Sequence, residues 1–317
     1  MDNLCHALTG LAMGHAGLKR KTPLALTTLV LAANAPDIDI VVVATDTLAV
    51  YFRRGWTHGP LAMLLLPIVL TALVVAFDRF VRQRRPLPPP QVTPRQVLLV
   101  AALGTWSHPL LDYMNSYGVR LLMPFSGRWY YGDALYIVDP WLYLVLGAGV
   151  WAAWKARGGA AAGYRAARAA LVVAGVYVVV MYASNLWART VVADGLARAG
   201  QPQARFMVTP VAVNPFEREV LVDLGGRYEK GFVTFTPLPR FRPAGYGVDR
   251  HADHPAAIAA AETALGRQFL TWSRFPFFVV EETATGTVVY LNDARYAGPS
   301  GADGWAALRI PLGAGPR

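Results

Sequence analysis

The chain has 317 residues, of which 54% are hydrophobic and only 16% are charged. Soluble domains average ~45–50% apolar and ~25% charged residues, so this composition points to a membrane protein. The net charge of +10 does not indicate nucleic-acid binding, because the basic residues stand in short clusters between apolar runs, as they do in membrane proteins. The single cysteine, Cys5, excludes an intramolecular disulfide bond.

The first 190 residues contain long apolar runs that predict a polytopic helical membrane domain. A helix that spans the bilayer needs roughly 20 mostly apolar residues. Five runs approach this length: residues 22–50, 60–77, 96–116, 134–154 and 169–188. Residues 3–18 form a sixth, shorter apolar element that need not span the membrane fully. We therefore expect a mostly α protein with a bundle of five to six apolar helices over residues 1–190.

Residues 191–317 have the pattern of a small α+β domain outside the membrane. Alternating apolar and polar residues at 219–223 and 231–236 flank a Gly225-Gly226 turn, which predicts a β-hairpin. Residues 255–272 are predicted to be helical, and a further pair of strands is expected around Gly286.

The distribution of Lys and Arg predicts which loops stay in the cytoplasm. Residues 19–21, 79–95 and 155–168 hold 3, 5 and 4 basic residues, whereas residues 45–59 and 118–133 hold two each. Short loops rich in basic residues remain cytoplasmic. The two basic-poor loops are therefore expected at the outer face of a bacterial inner membrane, and the domain that follows the last span is expected in the periplasm.

A secretory signal peptide is the alternative interpretation of the N-terminal region. The basic cluster at 19–21, the apolar run after it and the Ala33-Asn34-Ala35 triplet imitate the three-part pattern of such a peptide. The basic region would lie unusually late, however, and Pro36 would directly follow the cut. A membrane helix is therefore the favoured interpretation.

Histidine and aspartate residues concentrate on one side of the predicted bundle. Residues 1–216 contain nine Asp and no Glu. Charged groups within a membrane are costly, so such residues are functional candidates. Under the topology above, which rests on Lys and Arg alone, most of them lie toward the outer face. These residues are His6, Asp37, Asp39, His58, His108, Asp112, Asp133 and Asp139.

Local spacing brings several of these side chains together. His108 and Asp112 are four residues apart and share one helix face, which Asn115 joins. Asp37 and Asp39 follow a proline, and the irregular backbone expected there is tolerated at membrane depth where it lines a cavity. Imidazole nitrogens with carboxylate oxygens suit a divalent cation, with zinc the first choice and manganese or iron the alternatives.

The ordered set of motifs resembles a known bacterial inner-membrane family, the membrane-bound metal-dependent hydrolases of the DUF457 group. The motifs are His6-Ala7-Leu8-Thr9-Gly10, Ala35-Pro36-Asp37-Ile38-Asp39, Arg54-Gly55-Trp56-Thr57-His58 and Ser107-His108-Pro109-Leu110-Leu111-Asp112-Tyr113-Met114-Asn115. The segments Trp129–Asp133 and Val138–Trp141 also resemble this family. The resemblance covers residues 1–190 and implies a metal-binding membrane hydrolase. Gly59, after His58, departs from the small polar residue such as serine expected there.

The residues and the resemblance together predict a metal-dependent hydrolase with its site at the outer membrane face. The predicted metal ligands are His6, Asp37, Asp39, His58, His108 and Asp112. With no glutamate nearby, the catalytic groups are predicted to be Asp39, His58 and Asp133. Substrate contact or orientation of the ligands is predicted for Asn115, Asp139, Arg54 and Arg128. Membrane lipids are the expected surroundings, and the depth of the site favours a lipid-linked or phosphoester substrate.

Two other function classes remain open. Intramembrane His and Asp residues also serve ion and proton pathways, so an ion- or proton-coupled transporter or a non-catalytic metal-binding membrane protein is the alternative. A transporter needs polar groups through both leaflets, and the inward half offers little beyond His15. A purely structural membrane scaffold is the third interpretation, and it gives no reason for the ordered His and Asp set.

Overall fold

A computed structural model describes residues 1–45, 47–156, 160–284, 286–298 and 306–313 of the chain. Backbone contacts divide the chain into two units. The first comprises Met1–Ile40 and Arg53–Ala183, and the second comprises Val41–Phe52 and Ser184–Arg317. The segment Val41–Phe52, which lies within the predicted membrane half of the sequence, thus belongs to the second unit.

Helices dominate the chain up to residue 198. They are α1 (Asn3–His15), a 3₁₀ turn (Leu18–Arg20), α2 (Ala25–Asn34), a 3₁₀ helix (Ala35–Ala44), α3 (Ala49–Phe52), α4 (Pro60–Phe77), a π-helical turn (Asp78–Arg82), α5 (Pro94–Tyr113), α6 (Pro140–Lys155) and α7 (Ala160–Arg198). In the first unit, α2 packs against both α1 and α5, while α4 packs against α5 and α6 packs against α1. The three helices α1, α2 and α5 form the part of the bundle that positions the site.

Aspartates and prolines determine where several helices begin. The Asp2 carboxylate accepts from two backbone N–H groups of the first turn of α1, at 2.8 and 3.1 Å. Asp139 caps α6 in the same way, with both distances 3.1 Å. A proline stands in the first turn of α4, α5 and α6, where its missing N–H is not needed.

Three helical segments of the described chain are long and apolar enough to cross a membrane. They are Ala25–Ala44, Pro60–Arg82 and Ala161–Arg198. The predicted number of five to six apolar helices is not confirmed. With 16 residues, α6 is shorter than the roughly 20 that a span needs. The 20-residue α5 is not among these segments, and it carries polar side chains such as those of His108 and Asp112 on its buried face.

Two glycines let the three site helices approach closely. A Cβ atom on Gly10 in α1 would lie 2.9 Å from the Leu29 carbonyl oxygen in α2. A Cβ on Gly104 in α5 would lie 2.7 Å from the Ala32 side chain, also in α2. A larger residue at either position would push α1 or α5 away from α2, and the side chains that meet between these helices would separate.

The second unit contains two antiparallel sheets. The first sheet has the order β1 (Arg205–Pro210), β2 (Glu217–Asp223), β3 (Arg227–Thr234) and β4 (Arg240–Asp249). Helices α8 (Pro255–Glu262) and α9 (Ala264–Trp272) follow, and the second sheet has the order β5 (Pro276–Thr283), β6 (Gly286–Asp293) and β7 (Leu308–Leu312).

The predicted hairpin is confirmed, because β2 pairs with β3 around the Gly225-Gly226 turn. The strand pair predicted around Gly286 is confirmed as β5 and β6. The helix predicted over 255–272 is divided in two at Thr263, whose side chain accepts from Gly266 N at 3.0 Å and caps α9. Within the same unit, α3 packs on α9, and Leu48 N donates to Gln268 Oε1 at 2.9 Å.

Candidate metal centre

Helix α5 presents His108 and Asp112 on one buried face, one turn apart as predicted, and both are 0% exposed. His108 Nδ1 lies 2.6 Å from the carbonyl oxygen of Ala33 in α2. Because a carbonyl oxygen only accepts, this geometry assigns the ring proton to Nδ1. In the neutral ring, Nε2 then presents a lone pair to the other side chains of the site.

Pro36 explains why the Ala33 carbonyl is available to His108. Residues Ala35–Ala44 form a 3₁₀ helix, in which the carbonyl of residue i normally accepts from the N–H of residue i+3. The residue three positions after Ala33 is Pro36, which has no N–H group. The carbonyl is therefore left for a side chain, and the imidazole of His108 takes it.

A chain of hydrogen bonds through Thr57 sets the proton position on His58. Thr57 Oγ1 donates to Asp39 Oδ2 at 3.0 Å, so its one hydroxyl proton is used. It then accepts from His58 Nδ1 at 2.9 Å, which leaves Nε2 of the neutral ring with a lone pair. Burial lowers the pKa of His58, although Asp112 opposes this, and the low pKa keeps the ring neutral and able to bind a cation.

Ligand atoms of His58, His108 and Asp112 converge at distances typical of a metal site, and His6 lies next to Asp112. The Nε2 atoms of His58 and His108 lie 3.1 Å apart. Asp112 Oδ2 lies 3.3 Å from His58 Nε2, and Asp112 Oδ1 lies 3.3 Å from His6 Nε2. In a tetrahedral zinc site with bonds of 2.0–2.1 Å, neighbouring ligand atoms are about 3.3–3.4 Å apart. Two lone pairs at 3.1 Å repel each other unless a cation lies between them, so the arrangement fits a divalent cation.

Two overlapping sets of three side chains have ligand atoms within 4.8 Å of one another. One set is His58, His108 and Asp112, and the other is His6, Asp37 and His108. His108 belongs to both sets, and its Nδ1 already binds Ala33. Its remaining nitrogen binds one ion, so the two sets describe one centre with a choice of ligands. We call His6, Asp37, His58, His108 and Asp112 the His/Asp cluster.

Several polar atoms of the cluster lack hydrogen-bond partners within the described parts of the chain. They are both ring nitrogens of His6 and Oδ2 of Asp112, and all three atoms are buried. The other Asp112 oxygen forms an ion pair with the N-terminal ammonium group of Met1. Buried polar groups normally find a partner, and leaving one unpaired costs about 1–3 kcal/mol. An ion at the cluster would satisfy one ring nitrogen of His6 at most.

Two arginines neutralise the carboxylates of the site. Arg54 Nε lies 3.0 Å from Asp112 Oδ2, and its backbone nitrogen donates to Asp39 Oδ2 at 2.8 Å. Its φ of 57° lies in the left-handed region, which costs a residue with a side chain about 1–3 kcal/mol. Arg53 bridges Asp37 Oδ1 at 3.0 Å and Asp39 Oδ1 at 3.3 Å.

Two further predicted site residues, Asn115 and Asp39, lie next to Arg54 and His58. Asn115 is buried, and its Oδ1 accepts a hydrogen bond from Arg54 Nη1 at 3.0 Å. Asp39 is in neither set of converging ligands, and its closest approach to an imidazole is 3.6 Å, from His58 Nδ1. Asp39 thus lies behind His58 and outside both sets of converging atoms.

Three further predicted site residues are not members of the His/Asp cluster. Asp133 is fully buried in the segment between α5 and α6, and neither set of converging ligands contains it. Asp139 caps α6 and accepts from Tyr177 at 3.1 Å, so its carboxylate has a structural role. Arg128 is exposed, and its guanidinium lies over the Tyr130 ring. Sequence position alone did not separate these residues from the ligands.

Two residues important for the site were not predicted. Thr57 contacts both His58 and Asp39, and its place in the motif Arg54-Gly55-Trp56-Thr57-His58 could have indicated it. Gly59 was treated as a mild departure from the family pattern, but a Cβ atom there would overlap the Met123 carbonyl oxygen. The backbone of Met123 therefore requires glycine directly after His58.

Comparisons with known proteins agree with the helical membrane character of the first unit. No curated protein and no solved structure matches the chain. One family model, described as YdjM inner membrane protein, matches residues 1–188. This range includes every member of the His/Asp cluster, and the family description names no activity and no metal. The match covers more than half of the sequence, and the chain therefore belongs to the YdjM inner membrane protein family.

Proposed function

We propose that this chain is a metal-dependent hydrolase of the inner membrane, with a divalent cation held by the His/Asp cluster, centred on His58, His108 and Asp112. Zinc is the first choice, because imidazole nitrogens and carboxylate oxygens match its preferred ligands, and manganese or iron are the alternatives. The observation that carries the proposal is the convergence of the His58 and His108 Nε2 lone pairs at 3.1 Å beside Asp112 Oδ2.

The remaining polar groups have separate roles in the proposed reaction. When bound, such a cation acidifies water and polarises a phosphoryl or carbonyl oxygen. Asp37 Oδ1 lies 3.8 Å from His108 Nε2, so Asp37 replaces Asp39 and Asp133 as the proposed proton acceptor. Arg53 is 28% exposed at its side chain and is the cation that an anionic substrate reaches first. Arg54 and Asp39 hold Asp112 and His58 in place.

The proposed substrate is a lipid-linked or amphipathic phosphoester at the outer face of the membrane. The support is the asymmetry of basic residues, which assigns the 45–59 and 118–133 loops to the outer face, together with the position of His58 in the first of these loops. The same asymmetry supports a periplasmic location for residues 191–317.

Burial favours a second candidate, a non-catalytic metal site. His6, His108 and Asp112 are 0% exposed and His58 is 1% exposed. Structural zinc sites are closed by four protein ligands, whereas catalytic sites keep one position open for water or substrate. In the second candidate, the same cation would fasten α1, α5 and the loop before α4 together and would catalyse nothing.

Metal analysis of the purified chain tests the centre itself. We expect about one divalent ion per chain in the wild type, which is the capacity of one tetrahedral centre, and a background level in a His108→Ala/Asp112→Ala variant. His15→Ala is the matched control, since His15 is another buried histidine of the first unit, its Nδ1 lies 3.3 Å from Lys19 Nζ, and it belongs to neither set of converging ligand atoms. Metal retained by the double variant would refute the assignment of ligands.

An Asp37→Asn variant distinguishes the two candidates. For a hydrolase, we expect this variant to keep its metal and to lose most of its activity on p-nitrophenyl phosphate and on a long-chain alkyl phosphate. For a closed structural centre, we expect no activity in either protein and a lower melting temperature after chelation. Equal activity of the wild type and the Asp37→Asn variant would contradict the role of Asp37.

A further inference from the structure

We propose that the first unit binds an anionic phospholipid at the end of the bundle opposite to the predicted outer face. The binding site is the cavity between the C-terminal end of α1, the following 3₁₀ turn and the start of α7. This basic cavity contains no member of the His/Asp cluster, so the proposal stands independently of the metal centre.

The cavity has a volume of about 410 Å³ and two kinds of wall. Met13, Leu18 and Leu171 supply apolar side chains, and Lys21 and Arg168 supply cations. This combination matches a phospholipid, whose phosphate pairs with basic groups while its glycerol and first methylene groups lie on apolar side chains. A purely polar ion has no apolar part that could pack against Met13, Leu18 and Leu171.

Charge on the segments that form the cavity is entirely positive. Lys19 and Arg20 lie over the Tyr164 ring, at 5.5 and 5.9 Å from its centroid. The basic residues of the region are Lys19, Arg20, Lys21, Arg165 and Arg168. The sequence has no Asp or Glu in residues 3–36 or 140–193, so these segments carry no carboxylate to neutralise them. An anionic ligand would neutralise this positive charge.

Backbone geometry holds the cavity open. Gly17 has a φ of 141°, which lets the chain turn sharply after α1 and directs the basic turn toward α7. Arg168 Nε donates to the Ala16 carbonyl oxygen at 2.8 Å, which ties α7 to the end of α1. This hydrogen bond holds the guanidinium of Arg168 at the rim of the cavity, where it is exposed to an incoming ligand.

The position of the cavity along the helices favours a lipid over a soluble anion. The candidate spans Ala25–Ala44 and Ala161–Arg198 both begin beside it. The basic residues thus lie where the hydrocarbon layer ends and lipid phosphates are concentrated. A basic pocket between membrane helices on the cytoplasmic side is a typical headgroup site, and the distribution of basic residues assigns this end to the cytoplasm.

Native mass spectrometry of the full-length chain in detergent tests the proposal. Increasing amounts of phosphatidylglycerol or phosphatidylcholine with identical acyl chains are added, and bound lipids are counted. We expect preferential retention of phosphatidylglycerol, weakened about 30-fold in a Lys21→Gln/Arg168→Gln variant, since each basic group contributes about fivefold to binding. Arg84→Gln/Arg85→Gln is the matched control, because it removes the same charge from an exposed basic loop.

Three results would overturn the proposal. They are equal retention of the two lipids by the wild type, an equal loss of phosphatidylglycerol in the control variant, and displacement of the lipid by millimolar inorganic phosphate, which would indicate a site for a soluble anion. Lys21→Gln alone, at an exposed position, guards against misfolding of the double variant. It is expected to weaken binding about fivefold without changing the metal content of the protein.

Discussion

The buried Asp293 of the second unit and the His/Asp cluster of the first unit are both groups of buried charged side chains, and their hydrogen bonds are satisfied very differently. In the second unit, the buried Asp293 carboxylate accepts from Ser273 Oγ at 2.5 Å, from Arg274 N at 2.8 Å and from Arg295 N and Nε at 2.9 Å each. In the first unit, the His/Asp cluster leaves His6 and an Asp112 oxygen without hydrogen bonds among the described residues.

The two groups therefore differ in how many of their polar atoms are hydrogen-bonded. Asp293 joins the end of β6 to the segment after α9, and Arg295 also lies 4.7 Å from the Trp272 ring centroid. The carboxylate of that group is held by protein atoms. In the His/Asp cluster, Arg54 and the N-terminal ammonium group pair with Asp112, but the Nε2 atoms of His58 and His108 face each other at 3.1 Å, which is the geometry that the proposed cation would explain. Saturation of hydrogen bonds therefore distinguishes the two groups, whereas burial does not.

The largest expected effect comes from breaking the saturated group. Asp293→Ala leaves the Arg295 guanidinium buried without its partner, and we expect a loss of about 3–5 kcal/mol in the unfolding free energy of the second unit. Hydrogen exchange at the β5 and β6 amides measures this. Metal content should not change.

The control is Asp249→Ala, which removes the partner of Arg227 in a pair whose side chains are 55% and 42% exposed. Exposed pairs contribute about 0–1 kcal/mol. If the two aspartate variants were equally destabilised, the saturated group would have no special structural role.

A smaller effect is expected from adding one carbon next to His58. Gly59→Ala places a Cβ atom against the Met123 carbonyl, and overpacking of this kind costs about 1–3 kcal/mol. His58 should shift and metal content should fall, as measured by elemental analysis. Gly127→Ala, whose new carbon would have no described atom within 4 Å, should keep its metal.

Thr57→Val tests whether the orientation of His58 matters for metal binding, and it removes no candidate metal ligand. The valine neither accepts from His58 Nδ1 nor donates to Asp39, so the imidazole loses the contact that sets its proton position. We expect metal affinity to fall about 10–100-fold, the usual effect of losing a group that orients a ligand. A competition titration with a chelating dye measures the affinity, and Thr57→Ser should restore it. Unchanged metal affinity in the valine variant would show that the hydrogen bonds of Thr57 do not orient His58 for metal binding.

The smallest effect is a pH dependence confined to the second unit. Burial alone raises the pKa of Asp293, but the Arg295 charge and the hydrogen bonds outweigh it and hold the pKa below its ordinary value. The group therefore adds stability above the unfolded pKa of about 3.9, and this stability is lost as the pH falls through the folded pKa. Exchange at the β5 amides should accelerate below about pH 4, and an Asp293→Asn variant should show a flatter profile. A steeper loss near neutral pH would assign the effect to other groups.

Local rules predicted part of the candidate site. The spacing of His108 and Asp112 is helical, so both side chains lie on one buried face of α5. The same kind of reasoning predicted the β2–β3 hairpin, because strand alternation and a Gly-Gly turn act over a few residues. Local spacing could not predict which aspartates lie beside the imidazoles. The sequence does not distinguish Asp37 from Asp39, which lie two residues apart. In the structure, Thr57 and Arg54 donate hydrogen bonds to Asp39, whereas Asp37 lies beside His108.

The sequence by itself determined the membrane character of the first 190 residues, the apolar runs and the helical spacing of two candidate ligands, because hydropathy and helix periodicity are properties of short segments. Only the tertiary structure decided which imidazoles face one another, which nitrogen of each carries its proton and which aspartates serve as caps. It also decided that Val41–Phe52 packs in the second unit. These features depend on contacts between residues far apart in the chain, such as His108 with Ala33 and His58 with Asp39, and no local pattern encodes them.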